Sequence, residues 1–86
     1  MYYLFVFRSL TETERGAGVL SSAKIRSMIV NTPARLSANG CSRAVKVSGT
    51  QGGQAKRMLA AKRLYPVRAY TIDNTGAREV RFVDIS

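Results

Sequence analysis

Cys41 is the residue in this sequence best suited to nucleophilic chemistry, because the chain contains one cysteine and no histidine. Arg35 and Arg43 flank it, and no aspartate or glutamate occurs between residues 15 and 72. A cysteine close to arginine or lysine has a lowered thiol pKa, and the thiolate is the reactive form. We therefore expect an accessible, reactive thiol in a loop at residues 32–42. The alternative is that Cys41 is a small, buried and inert residue.

The absence of histidine excludes several classes of site. Ser-His-Asp and Cys-His catalysis and histidine–metal sites all need an imidazole. A single cysteine can form neither a structural zinc site nor an intrachain disulfide. We therefore expect no metal and no cofactor, and a location in the reducing cytoplasm. No apolar run is long enough to span a bilayer, so we expect no membrane association.

The net charge of +9 is concentrated in the middle of the chain. Residues 24–68 contain ten lysines and arginines and no acidic residue. Such a segment predicts an anionic partner, which could be a nucleic acid, an acidic protein or a small anion. A solvated surface that keeps a small protein soluble explains the same charge.

Hydrophobic periodicity predicts the elements that position this loop. Residues 2–7 are apolar on both faces, which is typical of a central strand. Ser9 and Thr11 both begin capping-box patterns, so a helix starts there, and Gly16 and Gly18 would let it lie close to the sheet. The remaining pattern predicts strands at residues 25–30, 43–47 and 66–72, a helix at 54–64, a turn at 74–76 and a final strand at 79–85.

This order is βαββαβ followed by an extra β segment, which predicts an α+β protein with the ferredoxin-like split βαβ fold. Residues 1–72 would form the ferredoxin-like domain, and residues 73–86 would be its C-terminal β extension. Helices cover only one face of such a sheet, yet residues 2–7 are apolar on both. We therefore expect residues 77–86, a second copy or a partner to cover the other face, with a homodimer as the commonest solution.

Three segments together resemble one family of small bacterial domains, the selenium/sulfur (Se/S) carrier protein-like family. They are the apolar start at residues 2–7, the stretch 31–37 (Asn-Thr-Pro-Ala-Arg-Leu-Ser), and Cys41 followed by the strand at 43–47. The resemblance covers roughly residues 1–72. Its most specific part is Thr-Pro-x-x-Leu-Ser before a lone cysteine.

The resemblance implies a carrier or adaptor rather than an enzyme. Cys41 would hold a persulfide or selenosulfide and pass it to a partner, a sulfur or selenium donor or acceptor enzyme. By match to the motif, Thr32, Pro33, Leu36 and Ser37 would shape the loop. The candidate binding residues around the thiol are Arg35, Ser37, Gly40, Ser42 and Arg43.

The alternative function is a basic binding module for nucleic acid or an acidic protein, without chemistry. The first strand resembles that of an RNA-recognition domain, which shares this topology and stacks bases on strand aromatics. However, the strand at 43–47 has no aromatic residue where two are expected, so nucleic acid is not the favoured partner. Binding by such a module would depend strongly on salt and would not change in Cys41→Ser.

Overall fold

The computed structural model describes residues 1–36 and 42–86. Within these residues the chain forms five strands, two α-helices and three short 3-10 turns. The strands and helices are β1 (Tyr2–Val6), α1 (Leu10–Ser22), β2 (Ser27–Asn31), β3 (Arg43–Ser48), α2 (Gly52–Ala61), β4 (Arg68–Asp73) and β5 (Gly76–Val80). The 3-10 turns are Ala34–Leu36, Gly49–Gln51 and Phe82–Asp84.

The strands form one antiparallel sheet in the order β2-β3-β1-β4-β5. The first four strands in this order, with both helices on one face, have the ferredoxin-like arrangement. β5 extends the sheet through a hairpin with β4. The predicted fold class, α+β and ferredoxin-like with an extra β segment, is confirmed.

The central position of β1 explains why its residues are apolar on both faces. Phe5 packs with the residues of the helix-covered face, whereas Leu4 and Val6 point to the opposite, open face. All three are at most 1% exposed. The helix-side core contains Phe5, Phe7, Leu20, Ile25, Val45, Val47, Ala55, Leu59, Leu64, Ala69 and Ile85.

Helix α1 begins at the predicted cap. The Ser9 hydroxyl accepts a hydrogen bond from the backbone N–H of Glu12 at 3.2 Å, which satisfies one of the free donors of the first turn. A Cβ at Gly16 would lie 3.0 Å from the Phe7 ring, whereas a Cβ at Gly18 would meet open space. Gly16 therefore permits the close approach of helix and sheet, and Gly18 does not contribute to it.

Both helices end in the same way, with a basic residue in the left-handed conformation. Lys24 has φ 62° and Arg63 has φ 56°, where glycine is the usual residue. The next residues, Ile25 and Leu64, are buried and donate their backbone N–H groups to the carbonyls five residues earlier. These Schellman-type endings fasten each helix terminus to the core.

Several predicted boundaries change in the structure, including the first residues of α2 and β4, which are Gly52 and Arg68. β2 begins at Ser27 and α2 ends at Ala61, because the two apolar residues assigned to these elements, Ile25 and Leu64, belong to the helix endings. The final strand is Gly76–Val80, so the prediction of a strand at 79–85 is wrong. The tight turn that pairs Asp73 with Gly76 starts the return strand at once.

The prediction that residues 77–86 cover the open face is also wrong. β5 adds an edge strand to the sheet. The chain after it, residues 81–86, turns to the helix side, where Ile85 is buried in the core. Lys56 of α2 holds this tail by donating from Nζ to the Val83 carbonyl at 2.6 Å. Leu36 lies over the middle of the open face instead. The homodimer stays a prediction.

Candidate functional site

The loop after β2 starts with a short turn built around a proline. Pro33 follows Thr32, and the residue before proline avoids the helical region, so β2 cannot continue into a helix there. The Leu36 backbone N–H donates to the Pro33 carbonyl at 2.8 Å, which closes the 3-10 turn Ala34–Leu36. The turn reverses the chain and directs Leu36 back towards the sheet.

Leu36 anchors this turn to the open face. Its side chain is 8% exposed and packs with the second apolar cluster of the protein. The Tyr70 hydroxyl of β4 donates to the Leu36 carbonyl at 3.1 Å, in a buried hydrogen bond. The side chain and the backbone carbonyl of Leu36 thus both hold the turn against the sheet. The cluster consists of Leu4, Val6, Leu36, Ala44 and Tyr70.

The two ends of the loop are joined to each other at its base. The Thr32 backbone N–H donates to the Ser42 carbonyl at 2.7 Å, directly beyond the last paired residues of the β2–β3 ladder, Asn31 and Arg43. Ser42 directly follows Cys41 in the chain. The residue on the C-terminal side of the cysteine is therefore fixed by the sheet.

Thr32 carries an unusual polar group at this base. Thr32 is 8% exposed. Its buried Oγ1 has no hydrogen-bond partner in the described part of the chain. Most buried hydroxyls are paired, because an unpaired one loses its bonds to water without replacement. Within residues 1–36 and 42–86, the Thr32 hydroxyl is therefore an unpaired donor and acceptor at the base of the loop.

The structure places the other predicted site residues around this base. Arg35 is exposed on the 3-10 turn, while Ser42 and Arg43 are exposed where the chain enters β3. Thr32, Pro33, Leu36, Ser42 and Arg43 thus surround the loop base, with Arg35 on the turn beside them. The remaining predicted residues, Ser37, Gly40 and Cys41, lie outside the described residues.

Some of the basic side chains form ion pairs with acidic residues. Arg68, counted in the acid-free middle segment, pairs with Glu79 of β5 at 2.7 Å, and this hydrogen bond raises the pKa of Arg68. The Arg8 guanidinium pairs with Glu12 at 2.8 Å, which raises its pKa in the same way. These two paired arginines lie outside β2 and β3, with Arg68 on β4 and Arg8 just before α1.

Tyr70 is the site residue that sequence reasoning missed. The pattern placed it in a strand, but its contact with Leu36 joins residues far apart in the chain. A side-chain bond to a backbone carbonyl leaves no signal in local periodicity. The one sequence signal for this contact was an aromatic residue within the strand predicted at residues 66–72.

The open face offers a limited surface for stacking nucleic-acid bases. On this face β3 presents Ala44, Lys46 and Ser48, which include no aromatic ring. Leu4 of β1 is buried beneath Leu36. Tyr2 remains, with Lys46 Nζ 4.4 Å from its ring centre. The nucleic-acid alternative therefore depends on charge and on the single ring of Tyr2.

Among residues 1–36 and 42–86, no group of three His, Cys, Asp or Glu side chains could hold a metal ion. In the same part of the chain, no helix has the length and apolar character needed to cross a bilayer.

One protein family matches most of the chain. Its description is "Putative Se/S carrier protein-like", and the match spans residues 2–71. Comparison with curated proteins and with solved structures gave no match. The matched residues contain the β1 strand, the loop anchored by Leu36 and the chain's single cysteine. The chain therefore belongs to the Se/S carrier protein-like family.

Proposed function

We propose that this protein carries a sulfur or selenium atom as a persulfide-type adduct on Cys41 and passes it between partner proteins. The observation that carries this proposal is that the only cysteine lies within the residues that match the carrier family. The fixed base of the loop also supports the proposal, because Ser42, the residue after Cys41, accepts a hydrogen bond from the Thr32 backbone. The reducing cytoplasm suits this role, since a carrier thiol must return to its reduced state.

Loading needs no net oxidant. The Cys41 thiol loses its proton to water, and the thiolate attacks the outer sulfur of a donor persulfide. The donor's S–S bond breaks as the new S–S bond to Cys41 forms, and the donor leaves as a thiolate. Delivery repeats this exchange with an acceptor thiolate as the attacking group. For selenium, the outer atom of the donor is selenium and the bond formed is S–Se.

The surrounding residues have distinct proposed roles. The positive charges of Arg35 and Arg43 favour the thiolate over the thiol. The unpartnered Thr32 hydroxyl could donate to the anionic outer atom of the adduct. Leu36 and Tyr70 hold the start of the loop in place. Ser37, Gly40 and Ser42 are the small residues near Cys41 in the sequence.

Intact-mass measurement after incubation with glutathione persulfide tests the proposal. We expect the protein to gain the mass of one sulfur atom and to lose it on treatment with dithiothreitol. Cys41→Ser should gain nothing. Wild-type protein that stays unmodified, under conditions that load free cysteine, would overturn the carrier function.

The rate of loading tests the electrostatic role separately. Arg35→Gln should load more slowly than wild type, because fewer thiolates are present at neutral pH. Arg57→Gln, on the exposed face of α2, lowers the net charge equally and is the matched control. Equal slowing in both variants would show that overall charge, and not the charge near the loop, sets the rate.

A further inference from the structure

The outer edge of β2 is an unprotected sheet edge. The two edge strands of the sheet are β2 and β5. β5 carries Arg78 and Glu79, and such charges are the usual protection against pairing with another chain. β2 has the sequence Ser-Met-Ile-Val-Asn, without a charge or a proline. No residue in the described part of the chain pairs with its outer edge.

Apolar side chains are exposed on both faces of this edge. Met28, on the open face, is 60% exposed, and Ile29, on the helix side, is 36% exposed. A strand added to β2 would therefore gain backbone hydrogen bonds along the edge and apolar contacts on either side. These are the two components of recognition by strand addition.

The charge around β2 selects the kind of strand that could bind. Residues 24–48 contain five basic residues and no acidic one, and all five acidic residues of the chain occur before or after this segment. A second copy would bring the same positive charges to this edge, whereas an acidic segment would bring opposite ones. The five basic residues are Lys24, Arg26, Arg35, Arg43 and Lys46.

The end of β2 leads directly to the proposed carrier loop. Asn31 pairs with Arg43 in the ladder, and the next residue, Thr32, is bonded to Ser42. A strand bound along β2 would therefore end beside the base of the loop that contains Cys41. Binding at this edge would bring a donor or acceptor protein to the thiol.

We propose that the β2 edge binds an extended, acidic segment of the protein that gives sulfur to Cys41 or takes it away. The segment adds a sixth strand to the sheet, beside β2. This inference rests on the proposed carrier function, because it identifies the partner of that function by its chemistry.

A short synthetic peptide tests this interaction, with valine and threonine alternating between flanking glutamates. We expect it to shift the backbone amide NMR signals of residues 27–31 and to protect them from hydrogen exchange. A matched peptide with lysines in place of the glutamates should not bind measurably. Shifts confined to other elements, or equal binding of both peptides, would overturn the proposal.

Variants of the edge make the test specific. Ile29→Asn should weaken binding of the acidic peptide at least about tenfold, because it removes an apolar contact and introduces a residue that disfavours strands, without changing the charge. Val83→Asn makes the same kind of substitution at another exposed apolar residue away from β2, and should bind like wild type. Met28→Asn is the second edge variant if Ile29→Asn fails to fold. Unchanged binding in a folded edge variant would overturn the proposal.

The oligomeric state provides a further check. Light scattering that shows a dimer of wild type and a monomer of Ile29→Asn would assign the edge to a second copy and overturn the acidic partner. Peptide binding should be unchanged in Cys41→Ser, because the edge does not need the thiol. Failed loading with intact peptide binding would overturn the carrier function alone, and the reverse result would overturn the edge proposal alone.

Discussion

The buried hydroxyl of Thr32 lowers the stability of the fold but has a role in the proposed function. A buried hydroxyl without a partner costs about 1–3 kcal/mol relative to one that is paired. Valine has a similar shape and would avoid this cost. The unpaired hydroxyl therefore fits the role proposed for Thr32, donation to the adduct on Cys41.

Thr32→Val tests this interpretation. We expect the free energy of unfolding to rise by about 1 kcal/mol, because an unpaired polar group is removed from the interior. We expect loading of Cys41 to become slower in the same variant, because the hydroxyl can no longer donate to the adduct. Urea unfolding and the mass-spectrometric loading rate measure the two effects. A variant that is less stable than wild type would show that the hydroxyl has a partner in the folded protein.

At the scale of elements, the two glycines of α1 provide a matched pair. Both lie inside the helix, where glycine costs about 0.5–1 kcal/mol relative to alanine. Gly18 faces open space, so Gly18→Ala should stabilise the protein by about that amount. Gly16→Ala should stabilise it less or destabilise it, because the new Cβ would lie 3.0 Å from the Phe7 ring.

Chemical unfolding of both glycine variants measures the difference. Since the helix propensity gained is the same at both positions, any difference reports the packing of α1 against the sheet. Equal stabilisation would mean that Phe7 can shift without cost, and that close packing does not explain Gly16.

The elements also indicate how far local sequence patterns can determine this fold. Periods of two and 3.6 residues predicted the number and order of the strands and helices before the extra segment, since these patterns are local. The helix ends were less predictable, because Lys24 and Arg63 occupy left-handed positions where glycine is the recognisable signal. The last strand was misplaced because the β-prone residues Val80, Phe82, Val83 and Ile85 lie late in the segment, whereas the turn before Gly76 decides the pairing.

The candidate site stays a prediction, because Ser37, Gly40 and Cys41 lie outside the described residues. The Thr-Pro-x-x-Leu-Ser motif identified Thr32, Pro33 and Leu36, which the structure places at the loop base and on the open face. The contact with Tyr70 was not predictable, because it depends on which strand lies beside β1. A motif can thus indicate candidate site residues, even though the residues that hold the motif in place leave no signal in the local sequence.

At the scale of the whole molecule, the excess of positive charge should govern the response to pH. The chain has fourteen basic and five acidic residues. The hydrogen bond that the Thr75 hydroxyl donates to Asp73 lowers the pKa of this carboxyl below its usual 3.8. A carboxyl with a lowered pKa stabilises the folded state above its usual pKa, and this contribution is lost as the pH falls through the lower, folded value.

We therefore expect the urea midpoint to fall as the pH decreases below about 4, where protonated carboxyls leave the basic side chains unopposed. Added sodium chloride should restore part of the loss by screening the repulsion. Thr75→Ala should raise the pKa of Asp73, which carboxyl NMR shifts can follow. A urea midpoint that rises on acidification, or that salt lowers, would contradict this account of the charge.

The hydrogen bond between Tyr70 and Leu36 has a spectroscopic consequence. The chain has no tryptophan and four tyrosines, so its near-ultraviolet absorption and emission come mainly from the phenol rings. Tyr70 is the tyrosine whose buried hydroxyl is bonded to the carrier loop. Any movement of that loop, on loading or on docking of a partner, would change the polarity around a native chromophore. Comparison with Tyr70→Phe isolates this signal, so the protein contains its own optical probe of the loop, without a label.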